Sequence, residues 1–175
     1  MRINSVPGDS TRPITDRVKE SLFNIIGNDI LNASFLDLFG GTGSVSIEAL
    51  SRNASRAKII DMHPMATKTI KSNLEITRLQ DKADVIRMDS LVFLKNNLVE
   101  DFDYIYIAPP QYKLLWIKTI KIIDSKPNWL HANGWIIAQI HPVEYEELFL
   151  ENFIEFDKRK YGSTLLVFYE FKAEH

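Results

Sequence analysis

The chain has 175 residues, of which 45% are hydrophobic, a formal net charge of −2 and no cysteine. This length and apolar content suit a single domain, residues 1–175, with one core. The lack of cysteine excludes a disulfide framework and thiolate metal sites, and no apolar run reaches the roughly 20 residues that a membrane helix needs. Without a signal peptide, a cytoplasmic location is expected. The charge balance predicts that any contact with nucleic acid is local.

The first elements are a leader and a helix. Residues 1–12 show no periodicity, which predicts a short extended or mobile leader. From Thr15, apolar residues recur at helical spacing as far as Ile26. Gly27 and Asn28 then mark the end of this helix.

Residues 35–50 predict a strand, a tight turn and a helix, because apolar residues alternate around Asp37, glycines occupy positions 40, 41 and 43, and helical spacing follows. Such glycines let the backbone adopt positive φ and approach a ligand, toward which the next helix points free N–H groups. The turn therefore predicts nucleotide binding, with an ordinary strand-to-helix loop as the alternative. Ser46 breaks the dinucleotide fingerprint and no lysine follows Gly43, so neither that motif nor a P-loop is matched.

Two more carboxylates end the next predicted strands. Residues 57–61 form a short apolar strand that ends at Asp61, which can accept the hydroxyls of a ribose. Residues 84–89 form the third strand, and Asp89 is expected to cap the following helix or to meet an adenine amino group.

The remaining pattern alternates strands and helices. Helices are predicted from Pro64 and around residues 91–94 and 113–123, strands at 101–107 and 134–139, a short acidic helix from Pro142 through Glu147, and a closing hairpin over 152–171. This alternation predicts an α/β fold, a parallel sheet with helices on both faces, and ligands at the carboxyl ends of the strands.

The loop at residues 108–112 follows the fourth strand at that same edge. Pro109 and Pro110 fix φ twice and leave carbonyl oxygens facing outward, where they can accept from an exocyclic amine. Holding an amine in the right place is an orientation effect that needs no strong base beforehand.

These segments resemble known methyltransferase motifs. The glycine turn, with Asp37 and Phe39, resembles motif I of class I S-adenosylmethionine-dependent methyltransferases, and residues 108–112 resemble motif IV of amino methyltransferases. Together with Arg12-Pro13, residues 16–18 and Tyr161-Gly162, nearly the whole chain resembles the RsmD-type family of small-subunit (16S) ribosomal RNA guanine-N2 methyltransferases. The resemblance implies the class I fold, with seven strands in the order 3-2-1-4-5-7-6, S-adenosylmethionine as cofactor and a guanine N2 amine as substrate.

The resemblance also implies three groups of site residues, and neither it nor the ligand spacing predicts a metal. The cofactor group is Asp37, Phe39, Gly40, Gly41, Thr42, Gly43, Asp61, Met62, Asp89 and Ser90. The catalytic group is Ala108, Pro109, Pro110, Gln111 and Tyr112. The RNA-binding group is Arg12, Arg17, Lys19, Lys158, Arg159 and Lys160, for each of which a solvated surface charge is the alternative.

Two departures from the family pattern leave alternatives open. Ala108 stands where the family usually has Asp, and Gln111 stands where it usually has an aromatic residue. An altered amine clamp is expected, while another planar amine as substrate, such as a protein glutamine or another base, or a cofactor-binding module without catalysis are the alternatives. Only Arg2 precedes Arg12 where the family carries a longer basic hairpin, so help in binding is expected from an assembled small-subunit particle. A monomer is expected.

Overall fold

The computed structural model describes residues 2–7, 13–111 and 114–174. Its strands are β1 (Ser34–Asp37), β2 (Arg56–Asp61), β3 (Ala83–Arg87), β4 (Phe102–Ile107), β5 (Leu130–Ile140), β6 (Phe153–Tyr161) and β7 (Thr164–Phe171). They form one sheet in the order β3-β2-β1-β4-β5-β7-β6, which confirms the predicted order. β1 to β5 pair in parallel, and β7 runs antiparallel to β5 and to β6.

Within the described ranges, five α-helices cover the two faces of the sheet. They are α1 (Asp16–Ile26), α2 (Ser44–Ser51), α3 (Pro64–Thr77), α4 (Ser90–Asn96) and α5 (Leu115–Ser125). The side chain of Thr15 accepts a hydrogen bond from the Val18 N–H and caps α1, while Pro64 occupies the first turn of α3, where a missing N–H is tolerated. The helix bounds agree with the periodicity of the sequence.

Successive side chains of each strand point to opposite faces of the sheet, and an apolar core forms on each of these faces. In β1, Phe35 packs with the buried residues of α1, α2 and α3, whereas its neighbour Leu36 packs with those of α4 and α5. Both side chains are fully buried. Because successive strand residues point to opposite faces, a strand buried on both sides reads as a continuous apolar run, as β1 and β4 do.

The prediction of an acidic helix from Pro142 through Glu147 is wrong. Only a single 3₁₀ turn forms, at Pro142–Glu144, and Tyr145 has the extended dihedral angles φ −63° and ψ 134°. The Tyr145 hydroxyl donates to a Glu155 carboxylate oxygen at 2.7 Å, and Leu148 packs on the core. Tertiary contacts of these side chains therefore override a helical pattern that was short to begin with.

β5 begins four residues earlier than predicted. Its pairing with β4 jumps from Phe102–Leu130 to Tyr104–Trp135, so additional residues of β5 bulge out between the two pairs. A Cβ on Gly134 would lie 2.6 Å from the Asp103 carbonyl oxygen, which explains why glycine fits this close approach.

The described part of the leader, residues 2–7, has no regular secondary structure but is attached to the domain. The Asn4 N–H donates to the Asn73 side-chain oxygen at 2.7 Å, and the Asn73 amide donates back to the Asn4 carbonyl at 3.0 Å. The same amide donates to the Thr42 carbonyl at 2.9 Å, so fully buried Asn73 joins the leader to the glycine turn. Residues 8–12, which the prediction also assigned to the leader, lie outside the described residues.

Across these described ranges, no helix is both long enough and apolar enough to cross a membrane.

Candidate active site

The glycine turn closes the carboxyl end of β1. The Gly40 N–H donates to the Ile60 carbonyl of β2 at 2.9 Å, and Gly43, with φ 81°, directly precedes α2. A Cβ on Gly40 would lie 2.5 Å from an Ile59 side-chain carbon, so no larger residue fits there. Gly41 adopts φ 59°, the left-handed region that favours glycine.

A cavity of about 700 Å³ opens beside this turn at the carboxyl edge of the sheet. Its walls come from the start of α1, the glycine turn, the ends of β4 and β5, and the turn between β6 and β7. Residues named by the prediction that line it are Arg17, Asp37, Phe39, Gly40, Gly41, Thr42, Ala108, Pro109 and Gln111. The fold thus brings the glycine turn and the proline loop to one enclosure, as expected of ligand sites in parallel α/β sheets.

Asp37 is the buried carboxyl group among the residues that line this cavity. It is 1% exposed, and burial raises its pKa to about 7, while hydrogen bonds from the Ser46 hydroxyl and the Phe39 backbone act in the opposite direction. Ser46 donates to Oδ2 at 2.7 Å. Oδ1 is buried and accepts no hydrogen bond from any described residue. A buried acceptor without a partner is costly, so a ligand that brings a donor would bind favourably here.

Asp61 supports the glycine turn from the end of β2. Its Oδ2 accepts from the Gly41 N–H at 3.0 Å, and its Oδ1 accepts from the His63 N–H at 2.9 Å. Asp61 and the exposed Met62 lie beside the turn but outside the lining of the cavity.

Asp89 and Ser90 also lie outside that lining. Asp89 caps α4, as predicted, by accepting from the N–H groups of Leu91 and Val92 at 2.9 and 3.0 Å. The buried Ser90 hydroxyl donates to the Leu38 carbonyl, which attaches α4 to the end of β1.

The motif IV loop follows β4 directly. Ala108, Pro109 and Gln111 line the cavity; Pro110 is partly exposed and does not. Tyr112, the predicted stacking residue, lies outside the described residues. The side chain of Ala108 is a methyl group, so at this position only the backbone carbonyl can accept from an amine.

Two cavity-lining residues that sequence reasoning missed are Tyr106 in β4 and Gln139 in β5. The Tyr106 hydroxyl donates a hydrogen bond to Gln139 Oε1. The signal was present in the sequence, because a polar side chain near the carboxyl end of an apolar strand faces the ligand edge of a parallel sheet.

The basic residues fall into two places, and Arg12 lies outside the described residues. Arg17 lines the cavity, but Lys19 Nζ donates to the Ser44 hydroxyl at 3.0 Å and its side chain is 17% exposed. Lys19 therefore joins α1 to α2, and its head is engaged within the protein.

On β6, the charged groups of two of the three predicted RNA-binding residues contact other side chains of the protein. Lys158 Nζ lies 3.9 Å from the centre of the Tyr145 ring, and Arg159 Nε lies 3.0 Å from an Asp157 oxygen. Lys160 is exposed and directly precedes the turn at residues 161–163 that lines the cavity.

The chain is similar in sequence to proteins that are named as methyltransferases. A family model described as Conserved hypothetical protein 95 matches residues 1–170. The Bacillus subtilis protein "Putative rRNA methyltransferase YlbH" is 35% identical over 171 residues, which are 96% of this chain and 92% of that protein. Haemophilus influenzae "Ribosomal RNA small subunit methyltransferase D" is 34% identical over 133 residues, which are 75% of this chain and 68% of that protein. The chain belongs to the RsmD family of methyltransferases.

A solved structure gives the same result for the fold of this RsmD-family member. The protein titled "Putative methyltransferase yhhF from Escherichia coli" superposes with a TM-score of 0.83 at 28% sequence identity, and the match covers 97% of this chain and 91% of that one. The expectation of a class I methyltransferase fold is confirmed.

The RsmD-family site fits S-adenosylmethionine, the methyl donor of this family. The unpartnered Asp37 Oδ1 suits the ammonium of the methionine moiety, and the open space at Gly41 lets the backbone approach the ligand. Asp61, beside the turn, would accept from ribose hydroxyls. Among the described residues, no group of three or more histidine, aspartate or glutamate side chains is arranged to hold a metal ion.

Proposed function

We propose that this protein methylates the exocyclic N2 amine of a guanine in small-subunit ribosomal RNA. The observation that carries the proposal is a single cavity in which the unpartnered carboxylate oxygen of Asp37 and the proline loop at Ala108 are brought together. One end of such a cavity can hold a cationic cofactor, and the other can hold a planar amine. The names of the relatives support ribosomal RNA as the substrate class.

S-adenosylmethionine supplies an electrophilic methyl group when bound, and the products are S-adenosylhomocysteine, the methylated amine and a proton. Asp37 would anchor the methionine end of the cofactor, and the glycine turn would follow its backbone. The carbonyl of Ala108, on a loop made rigid by Pro109 and Pro110, would accept from the amine and orient it. Such positioning is the main contribution that we assign to the proline loop.

We place the substrate in an assembled small-subunit particle in the cytoplasm. Arg17 and Lys160 are the predicted RNA-binding residues whose charged groups make no hydrogen bond, ion pair or ring contact with another described residue. Two such cations among the described residues provide little of the clustered positive surface that free RNA requires, so a particle that presents the base in a fixed pose suits this enzyme better.

The test is methyl transfer from labelled S-adenosylmethionine to small subunits from an Escherichia coli strain that lacks its own Ribosomal RNA small subunit methyltransferase D. We expect label in N2-methylguanosine after digestion to nucleosides. Large subunits and free ribosomal RNA serve as the matched controls and should receive less label.

Ala108 favours a second candidate, a module that binds the cofactor without catalysis, because this residue lacks a side-chain acceptor. Absence of transfer together with measurable binding of S-adenosylmethionine would select that candidate. Label in another nucleoside or in a ribosomal protein would instead replace guanine N2 with a different planar amine.

A further inference from the structure

Tyr106 and Gln139 form a polar pair in the wall of the cavity. They lie on the neighbouring strands β4 and β5, and the Tyr106 hydroxyl donates to Gln139 Oε1. Tyr106 is 2% exposed, whereas Gln139 is half-buried. Both residues line the same enclosure as Asp37 and Ala108. A hydrogen-bonded pair in this position is accessible to a ligand that fills the cavity.

The hydrogen bond determines how the carboxamide of Gln139 is oriented. Burial, and then the nearby charge of Asp37, raise the pKa of Tyr106 well above its usual value, so its hydroxyl keeps its proton and can donate. With Oε1 facing Tyr106, the Nε2 group of Gln139 donates to no described residue. The carboxamide therefore offers two N–H donors and the second lone pair of Oε1.

The strand register places this carboxamide beside the motif IV loop. Tyr106 pairs with Ile137 and Ile107 pairs with Ala138, so the next positions along the two strands are Ala108 and Gln139. Residues at equivalent positions in a parallel pair point to the same face. Gln139 is thus the polar side chain adjacent to the place where Ala108 has only a methyl group.

We propose that Gln139 recognises the base to be methylated and that Tyr106 is its positioning residue. The ligand is a nucleobase edge of the form N=C–NH₂, such as the N3 and N2 atoms of guanine. Oε1 accepts from the exocyclic amine, and Nε2 donates to the adjacent ring nitrogen, which is the two-point contact that carboxamides make with base edges. This inference rests on the proposed function and adds the side-chain acceptor that Ala108 lacks.

A double-mutant cycle between Gln139 and Ala108 tests the inference. Single-turnover rates on the small subunits described above are measured for the parent, Gln139→Leu, Ala108→Asp and the double variant. In the parent background, Gln139→Leu should slow transfer by about 10- to 100-fold, the usual effect of losing hydrogen bonds felt in the transition state. In the Ala108→Asp background the same change should have a much smaller effect, because the new carboxylate accepts from the amine.

Two further measurements separate recognition from folding. Calorimetry should give the same affinity for S-adenosylmethionine in the parent and in Gln139→Leu, because this inference assigns Gln139 to the base and not to the cofactor. Tyr106→Phe keeps the buried ring and removes only the hydroxyl, so it should slow transfer in the same direction as Gln139→Leu but by a smaller factor.

The outcomes distinguish this inference from the proposed function. An active parent whose Gln139→Leu variant is equally active, or equally impaired in both backgrounds, would overturn the role of Gln139 and leave the proposed function intact. A parent without transfer would overturn the proposed function. In that case, binding of a nucleotide tests the role of Gln139. The NMR signal of the Gln139 side-chain amide is assigned by its absence from the spectrum of Gln139→Leu.

That NMR signal should shift when guanosine 5′-monophosphate is added in the presence of S-adenosylhomocysteine. Inosine 5′-monophosphate is the matched control, because it lacks the exocyclic amine and should cause a smaller shift. Equal shifts with the two nucleotides, or no shift, would overturn the inference, whether or not the protein transfers methyl groups to small subunits.

Discussion

The Ser46 hydroxyl donates a 2.7 Å hydrogen bond to Oδ2 of Asp37, and Oδ1 of the same buried carboxylate has no partner among the described residues. The Ser46 hydroxyl and the Phe39 backbone offset part of the cost of burial but leave the pKa of Asp37 at about 7. The site therefore holds an acid that is near its titration point at neutral pH, and a cationic ligand favours its charged form.

The affinity for S-adenosylmethionine should depend on pH through Asp37. Below about pH 7 the carboxyl is protonated, so binding of an ammonium must first remove that proton. We expect the dissociation constant to rise by up to about tenfold for each pH unit below 7. Calorimetry at pH 6 and pH 7.5 measures this change. The variant Asp37→Asn should bind more weakly and show a much flatter profile.

The stability of the ligand-free protein should depend on pH in the opposite direction to the affinity, and should be higher at low pH. The pKa of Asp37 is raised in the folded state, so its contribution to stability is full below its ordinary value of 3.8 and is lost as the pH rises through about 7. Asp37→Asn removes this titration. The free energy of unfolding of the parent, relative to that variant, should therefore fall by up to about 1.4 kcal/mol per pH unit within that window. Urea unfolding at several pH values checks this, and parallel curves would rule out a raised pKa.

The sequence pattern was sufficient for the alternation of strands and helices and for two walls of the cavity, the glycine turn and the proline loop, because those features depend on local patterns. Alternation on β1, the glycines that follow it and the two prolines after β4 each require a particular backbone, and parallel strands bring their carboxyl ends to one edge. The resemblance to a known family then supplied the strand order, which periodicity does not contain.

The roles of individual polar side chains were harder to predict, because they depend on tertiary neighbours. Lys19 carries the positive charge expected of a residue that contacts RNA, but its ammonium group donates a hydrogen bond to the Ser44 hydroxyl. Gln139 stands within an apolar strand and was assigned only to the sheet, although its neighbour Tyr106 gives it a polar partner. Tyr145 fitted a helical pattern, but its hydroxyl reaches Glu155 on β6.

Asp61 should affect cofactor affinity in two ways, because its oxygens also hold the backbone N–H groups of Gly41 and His63. Asp61→Ala should weaken binding of S-adenosylmethionine by about 1–3 kcal/mol, whereas Asp61→Asn, which keeps one acceptor oxygen, should weaken it less. Calorimetry provides both values. The exposed Asp81 serves as the control, since Asp81→Ala should leave the affinity unchanged. An unaltered affinity in Asp61→Ala would remove Asp61 from the site.

Asn73 should matter for stability, because its buried side chain bonds both to the leader at Asn4 and to the Thr42 carbonyl. Asn73→Ala leaves those backbone groups without partners and should lower the free energy of unfolding by about 1–3 kcal/mol. It should also make the leader, residues 2–7, more sensitive to limited proteolysis. The matched control is Asn96→Ala at an exposed position of α4, for which little change is expected. Equal effects of the two changes would show that the bonds to Asn73 contribute nothing measurable.

Lys160 should make the main contact with RNA on the β6–β7 hairpin. The heads of its neighbours are engaged, Lys158 with the Tyr145 ring and Arg159 with Asp157, whereas Lys160 is exposed and has no ion pair with any described residue. It also directly precedes the turn that lines the cavity, so RNA whose base enters the cavity passes close to it.

Lys160→Ala should therefore weaken binding to small subunits and lower the slope of log affinity against log salt concentration by about one, the effect of losing one phosphate contact. Lys121→Ala, on the exposed side of α5 and outside the cavity lining, is the control for a change in net charge and should leave the slope unchanged. Binding is measured by filter retention at several salt concentrations. If both variants shift the curve equally, only the overall charge matters and Lys160 makes no specific contact.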